Sequence, residues 1–308
     1  MSFSKRTKRT LEALTLLRPN VKKTYKTIRK IGNVASYIHI APLTYTVWDK
    51  EILNAGHNIP IRIFEPLDEY TQTLLLFFHG GGWVTGNIDS YSQTCANMAK
   101  MTKSIVVSVD YRLAPEHKFP LGLMDCYTVA KDFLTNGFME IEPKNITLIG
   151  DSAGGNIAAA LSLMARDNGD FLPGKQILIY PATYNDHSAA SPFQSVHENG
   201  EGFLLTAKRV TDYTELYCSS KADFMNPYFA PLLAEDFSNQ PQTLVISAQY
   251  DLLRDEGEEY GRRLAYAGNK VSIYRVSDAL HGFISLSPKI SQVKDTYDAI
   301  NRFLHWSK

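Results

Sequence analysis

Between residues 44 and 283, short apolar runs alternate with stretches of helical period. The first two β-rich segments, Thr44–Asp49 and Ile59–Phe64, are separated by Asn54-Ala55-Gly56-His57-Asn58. That spacing predicts an antiparallel pair. Six apolar runs follow, at Thr73–Phe78, Ile105–Val109, Ile146–Ile149, Gln176–Tyr180, Thr243–Ala248 and Val271–Arg275. They suit strands buried on both faces. Helical patterns at Ser92–Met101, Leu123–Leu134, Asn156–Ala165 and Glu256–Ala267 fall between most of them. The alternation predicts one α/β domain over residues 1–308, a mostly parallel central sheet flanked by helices. Right-handed crossovers bring the strand C-termini to one edge, where sites in such sheets form.

Two regions depart from the alternation. Residues 183–230 hold no strand pattern but many aromatics, among them Tyr184, Phe193, Tyr213, Tyr217 and Phe229. They read as a helical insertion. Near the N-terminus, Leu14, Leu17, Val21, Tyr25 and Ile28 recur at steps of three and four. This predicts an amphipathic helix, divided by Pro19. Residues of about 1–45 and 183–230 are together expected to form a helical cap.

Composition narrows the classes. The 308 residues carry 32 Lys plus Arg and 32 Asp plus Glu, so the net charge is zero. No nucleic-acid partner is expected from that balance. No run of 18 apolar residues occurs, so no stable membrane insertion is expected. Residues 1–30 concentrate ten basic residues against one acid, Glu12, which reads as the solvated face of the amphipathic helix. An anionic partner for that face stays open. Cys95, Cys126 and Cys218 are odd in number and far apart, matching no metal motif or disulfide framework. With no signal-peptide pattern at the start, a cytoplasmic location is the expectation.

The chemistry concentrates at strand ends. Gly150-Asp151-Ser152-Ala153-Gly154 follows the run Ile146–Ile149 and precedes a helical pattern. In that context a sharp turn lifts Ser152 above the sheet edge as a nucleophile. The Ala153 N–H then lies at a helix N-terminus, where an oxyanion is favoured. His79-Gly80-Gly81-Gly82-Trp83 follows the run Thr73–Phe78, and its glycines offer unhindered N–H groups. A phosphate loop is excluded, because no Gly-Lys-Ser/Thr follows. His79 is expected to brace the glycine loop. A serine needs a base. His281, just past the last strand, lies on the same edge. Asp251, three residues after Thr243–Ala248, is the acid expected in the order Ser152, Asp251, His281. Asp255 and Glu256 read as acids of the next helix's first turn.

These blocks, with Asp110-Tyr111-Arg112-Leu113-Ala114-Pro115-Glu116, Tyr250-Asp251-Leu252-Leu253-Arg254-Asp255-Glu256-Gly257 and His281-Gly282-Phe283, resemble the hormone-sensitive-lipase-like α/β-hydrolases, bacterial acetyl esterases among them. The resemblance spans about residues 73–284; Leu252 stands where that family often has proline. It implies the α/β-hydrolase fold with a helical cap and a serine carboxylesterase for short acyl esters. Ser152, Asp251 and His281 would be catalytic. The oxyanion donors would be Gly81, Gly82 and Ala153, with Gly80 shaping the loop. A small-molecule ester is the implied partner, no cofactor or metal is implied, and a homodimer stays open. An amidase or peptidase with the same triad, or a non-catalytic ligand receptor on this fold, are the alternatives.

Overall fold

The computed structural model describes residues 20–36, 45–54, 56–67, 71–137 and 141–305. The expected first half of the N-terminal helix, with Leu14, Leu17 and Pro19, lies outside the described residues. The second half is α1 (Val21–Ser36). Eight strands form one sheet: β1 (Tyr45–Ile52), β2 (Ile59–Pro66), β3 (Leu74–Phe78), β4 (Ile105–Val109), β5 (Ile146–Asp151), β6 (Lys175–Ile179), β7 (Gln242–Tyr250) and β8 (Val271–Leu280). Their order is β1-β2-β4-β3-β5-β6-β7-β8. β1 pairs antiparallel with β2, and β2 antiparallel with β4. From β4 to β8 every pairing is parallel.

The period-two geometry of the strands divides the core. Leu74, Leu76 and Phe78 point to one face and Leu75 and Phe77 to the other. The first face packs on α3 (Leu121–Thr135), α4 (Ala153–Asn168) and α7 (Arg254–Tyr266) through Phe133, Ile157, Leu161, Tyr260 and Leu264. The second packs on α2 (Ile88–Thr102) and α8 (Ser291–Leu304) through Met98, Ala99, Val293, Tyr297 and Ile300. Cys95 and Cys126 are buried in these layers.

The strand order contains the feature that positions the site. After β3 the chain passes to β4 on one side, then returns across β3 to β5 on the other. Phe78 at the end of β3 lies beside Gly150 of β5. Loops leaving these two strands diverge and leave a crevice at their C-terminal ends, as a topological switch point requires. Residues 183–230 contain no strand. Their helices α5 (Gln194–Asn199) and α6 (Ala207–Tyr217) follow β6. β8 runs five residues beyond the apolar run Val271–Arg275, despite the polar Ser277 and Asp278. It stays paired with β7 across an irregularity between Ala248 and Tyr250, with Val276 and Ala279 buried. Among the described residues, no helix is long and apolar enough to cross a membrane.

Candidate active site

Ser152 stands between β5 and α4 with φ 56° and ψ −116°, a strained conformation for a residue with a side chain. The neighbouring glycines make the turn sterically feasible. A methyl group at Gly154 would lie 1.9 Å from the Phe78 carbonyl oxygen, and one at Gly150 would lie 2.2 Å from the Gly154 oxygen. The turn therefore brings Ser152 to the sheet edge and directs the N-terminus of α4 at the same space.

His281 follows β8 directly, and Asp251 follows β7 directly. The extra length of β8 carries the histidine to the serine. His281 Nε2 lies 2.9 Å from Ser152 Oγ, and His281 Nδ1 lies 2.6 Å from Asp251 Oδ2. Asp251 is 1% exposed, and its Oδ1 accepts the Leu253 N–H at 3.0 Å. The Tyr180 ring packs against the imidazole with centroids 4.6 Å apart. The three residues thus meet in the order expected from strand ends. Asp255 does not join them: it accepts the Ser195 N–H and pairs with Arg254.

The glycine loop lies opposite. Gly81 and Gly82 have φ 111° and 62°, accessible to glycine at little cost. A methyl group at Gly82 would lie 2.4 Å from the Tyr213 ring. Among the described residues, no protein acceptor takes the N–H of Gly81, Gly82 or Ala153. All three residues line the pocket that contains Ser152 and His281. His79 is fully buried, bonds through Nδ1 to the Gly80 carbonyl at 2.7 Å and stacks on Tyr111 at 4.3 Å. Burial lowers its pKa to about 4, so it is neutral at physiological pH. The Asp110–Glu116 segment supports the loop from behind. Tyr111 Oη donates to the His79 carbonyl, and the Ala114 N–H donates to the Trp83 carbonyl.

Asp151 has a role that sequence reasoning missed. Its carboxylate is buried beneath the glycine loop and accepts the Gly80 N–H at 2.7 Å. Tyr91 and Tyr180 hydroxyls donate to its other oxygen at 3.2 and 3.4 Å. Burial raises its pKa to about 6, against the lowering effect of these bonds. Asp151 therefore links the serine turn to the loop facing it. The available signal was its place between a buried strand and the serine, where a charged residue needs partners.

The pocket measures about 250 Å³. The insertion contributes Leu204, Leu205, Arg209, Val210 and Tyr213 to its wall. Two acids of α7 fasten that insertion: the half-buried Asp255 through the Ser195 N–H, and the buried Glu256. Glu256 accepts the N–H groups of Thr183 and Tyr184 at 2.6 and 3.0 Å and pairs with His187 at 2.7 Å. Burial pushes the His187 pKa down, but the Glu256 carboxylate outweighs it, and the net shift is upward. Helix α1 packs behind the pocket. Lys22 pairs with Glu215 of α6, while Arg29 donates to the Val84 and Ala114 carbonyls.

A family model described as the alpha/beta hydrolase fold matches residues 75–285, well over half the chain. The chain belongs to the α/β-hydrolase family. This hydrolase is 38% identical over 248 residues to an arylesterase of Saccharolobus solfataricus, covering 79% of this chain and 78% of that protein. It is 32% identical to an ethyl acetate hydrolase of Pseudomonas putida, covering 78% and 76%. Among solved structures, a hyperthermophilic esterase from the archaeon Pyrobaculum calidifontis superposes with a TM-score of 0.89 at 34% identity, covering 99% of this chain and 98% of that one.

Proposed function

We propose that this α/β-hydrolase is a carboxylesterase working through an acyl-enzyme on Ser152. The observation that carries the reading is the hydrogen-bonded chain from Ser152 Oγ through His281 to the buried Asp251. His281 accepts the serine proton as Oγ attacks the ester carbonyl. Asp251 holds the imidazole in the tautomer with hydrogen on Nδ1 and stabilises the imidazolium that forms. The oxyanion is received by the N–H groups of Gly81, Gly82 and Ala153, for which the described residues offer no acceptor. His281 then protonates the departing alcohol. Water, deprotonated by the same imidazole, releases the acid and restores Ser152.

The substrate class follows from the pocket and the relatives. A volume of about 250 Å³ with Leu204, Leu205 and Val210 in its wall suits a short acyl group. The names of the relatives, an arylesterase and an ethyl acetate hydrolase, are in keeping with small esters. In this reading the insertion 183–230 is the cap that bounds the acyl chain, and α1 is its buttress through Lys22 and Arg29.

Turnover of p-nitrophenyl esters of increasing acyl length tests the proposal. Each buried methylene contributes about 0.8 kcal/mol until the pocket is full, so kcat/KM should climb and then fall beyond about six carbons. A maximum at ten or more carbons, or no turnover of any ester, would overturn it.

A further inference from the structure

Arg209 is the only arginine or lysine among the described residues lining the pocket. It lies in the first turn of α6, on the helix side that also presents Val210 and Tyr213 to the cavity. Its contacts are poor for a cation in an apolar wall. Nη1 reaches the Leu204 carbonyl at 3.5 Å and Nη2 reaches the Tyr213 hydroxyl at 3.4 Å, both at the outer limit of a hydrogen bond. Nε is buried and has no partner among the described residues. Among the described residues, no carboxylate lies within ion-pair distance of its guanidinium. By contrast Arg62, Arg112, Arg254 and Arg275 each meet a carboxylate at 2.7–2.9 Å. The pocket's other charged wall residue, Asp151, is engaged by Gly80, Tyr91 and Tyr180.

A buried donor without an acceptor is costly, and more so on a charged group. The cost is recovered when an anion enters. The two Nη groups, whose acceptors stand at 3.5 and 3.4 Å, can exchange them for the two oxygens of a carboxylate, the planar fork matching their spacing. We propose that Arg209 receives a carboxylate carried by the substrate, so that the site favours esters bearing that charge over neutral esters of similar size. The proposal rests on the ester-hydrolase reading of Ser152 and deepens it by naming the substrate's second recognition group. The carboxylate can stand on the acyl arm, as in a half-ester of a dicarboxylic acid, or on the alcohol arm.

Two substrate pairs separate these arms. Monoethyl glutarate against ethyl pentanoate places the charge on the acyl side; 4-acetoxybenzoate against phenyl acetate places it on the alcohol side. For one pair, the ratio of kcat/KM, charged over neutral, should fall about ten- to a hundredfold in Arg209→Gln, the loss of one charge-assisted pair. Arg209→Lys should recover part of it, keeping the charge without the fork. Calorimetric titration with benzoate and benzamide does not depend on turnover: benzoate should bind more tightly to the wild-type protein, and that preference should shrink in Arg209→Gln. A ratio unchanged in both pairs, or benzoate binding no tighter than benzamide, would overturn the assignment. Absence of turnover for all four esters would instead strike the ester reading, with the titration still deciding the role of Arg209.

Discussion

The two walls of the pocket are built differently. The sheet-edge wall consists of Ser152, the glycine loop and the residues that follow β7 and β8. Its geometry is over-determined: glycines admit no side chain at their close approaches, and Asp151 ties the loop to the serine turn. The insertion wall is made of ordinary side chains on α6 and the segment before it. It is held by a few buried polar anchors, chiefly Glu256 with His187 and Ser195 with the Leu252 carbonyl. The first arrangement tolerates almost no change, as positioning a nucleophile and an oxyanion site demands. The second can vary in shape and polarity without disturbing the first. Under the proposed function, reaction chemistry belongs to the sheet edge and substrate choice to the insertion.

Substitutions on the two sides should separate accordingly. The largest effect is expected at the sheet edge. Ser152→Ala and His281→Ala should each lower kcat for every ester by about 10⁴-fold or more, and Asp251→Asn most of that. Asp255→Asn should cost far less, because its carboxylate holds Ser195 and Arg254 and does not reach His281. The reverse ordering of the two aspartates in initial-rate measurements would move the acid's role.

Asp151 offers a test through pH. Its pKa is raised from the ordinary 3.8 to about 6 in the folded state, so its protonated form favours folding. The stability it contributes is complete below pH 4 and is lost as pH rises through about 6, about 3 kcal/mol in all. The difference in unfolding free energy between wild type and Asp151→Asn, followed by urea titration from pH 4 to pH 7, should change by about that amount. A constant difference would mean that the carboxyl does not titrate where its burial requires.

His187 shifts in the same direction, though its cause is a carboxylate partner, and its effect is smaller. Its folded pKa is raised, so the Glu256 pair stabilises below the ordinary histidine value and loses that contribution as pH rises through the folded one. Glu256→Gln should destabilise by about 1–3 kcal/mol at pH 6, with the deficit shrinking at higher pH. The smallest effect belongs to the insertion wall itself. Val210→Ala enlarges the pocket and should move the preferred acyl length up by about one or two carbons, in line with the methylenes it vacates. A loss of all activity there would erase the distinction between the two walls.

Much of the sheet edge was legible because the strands show as short apolar runs, and the serine, aspartate and histidine each lie shortly after one, the serine behind Gly150. The helical character of residues 183–230 was equally legible from the missing strand pattern. Other features were not. The placement of β3 between β4 and β5 depends on crossovers that leave no local signature. The C-terminal helix α8 passes unread among Ser291–Leu304, although Val293, Tyr297 and Ile300 form its buried face. Glu256 reads as a first-turn acid, which it is, yet its carboxylate reaches residues about 70 positions away in sequence. Arg209 is one charge among several on a polar helix until its missing partner is seen in space.

The central claim, an acyl-enzyme on Ser152, is tested most directly by trapping it. Acid quenching during turnover of p-nitrophenyl acetate, followed by peptide mapping in a mass spectrometer, should find one acetyl group on the peptide carrying Ser152. The Ser152→Ala protein should show none. An acetyl group on another residue that forms and decays at the turnover rate, or full turnover by Ser152→Ala, would contradict the account.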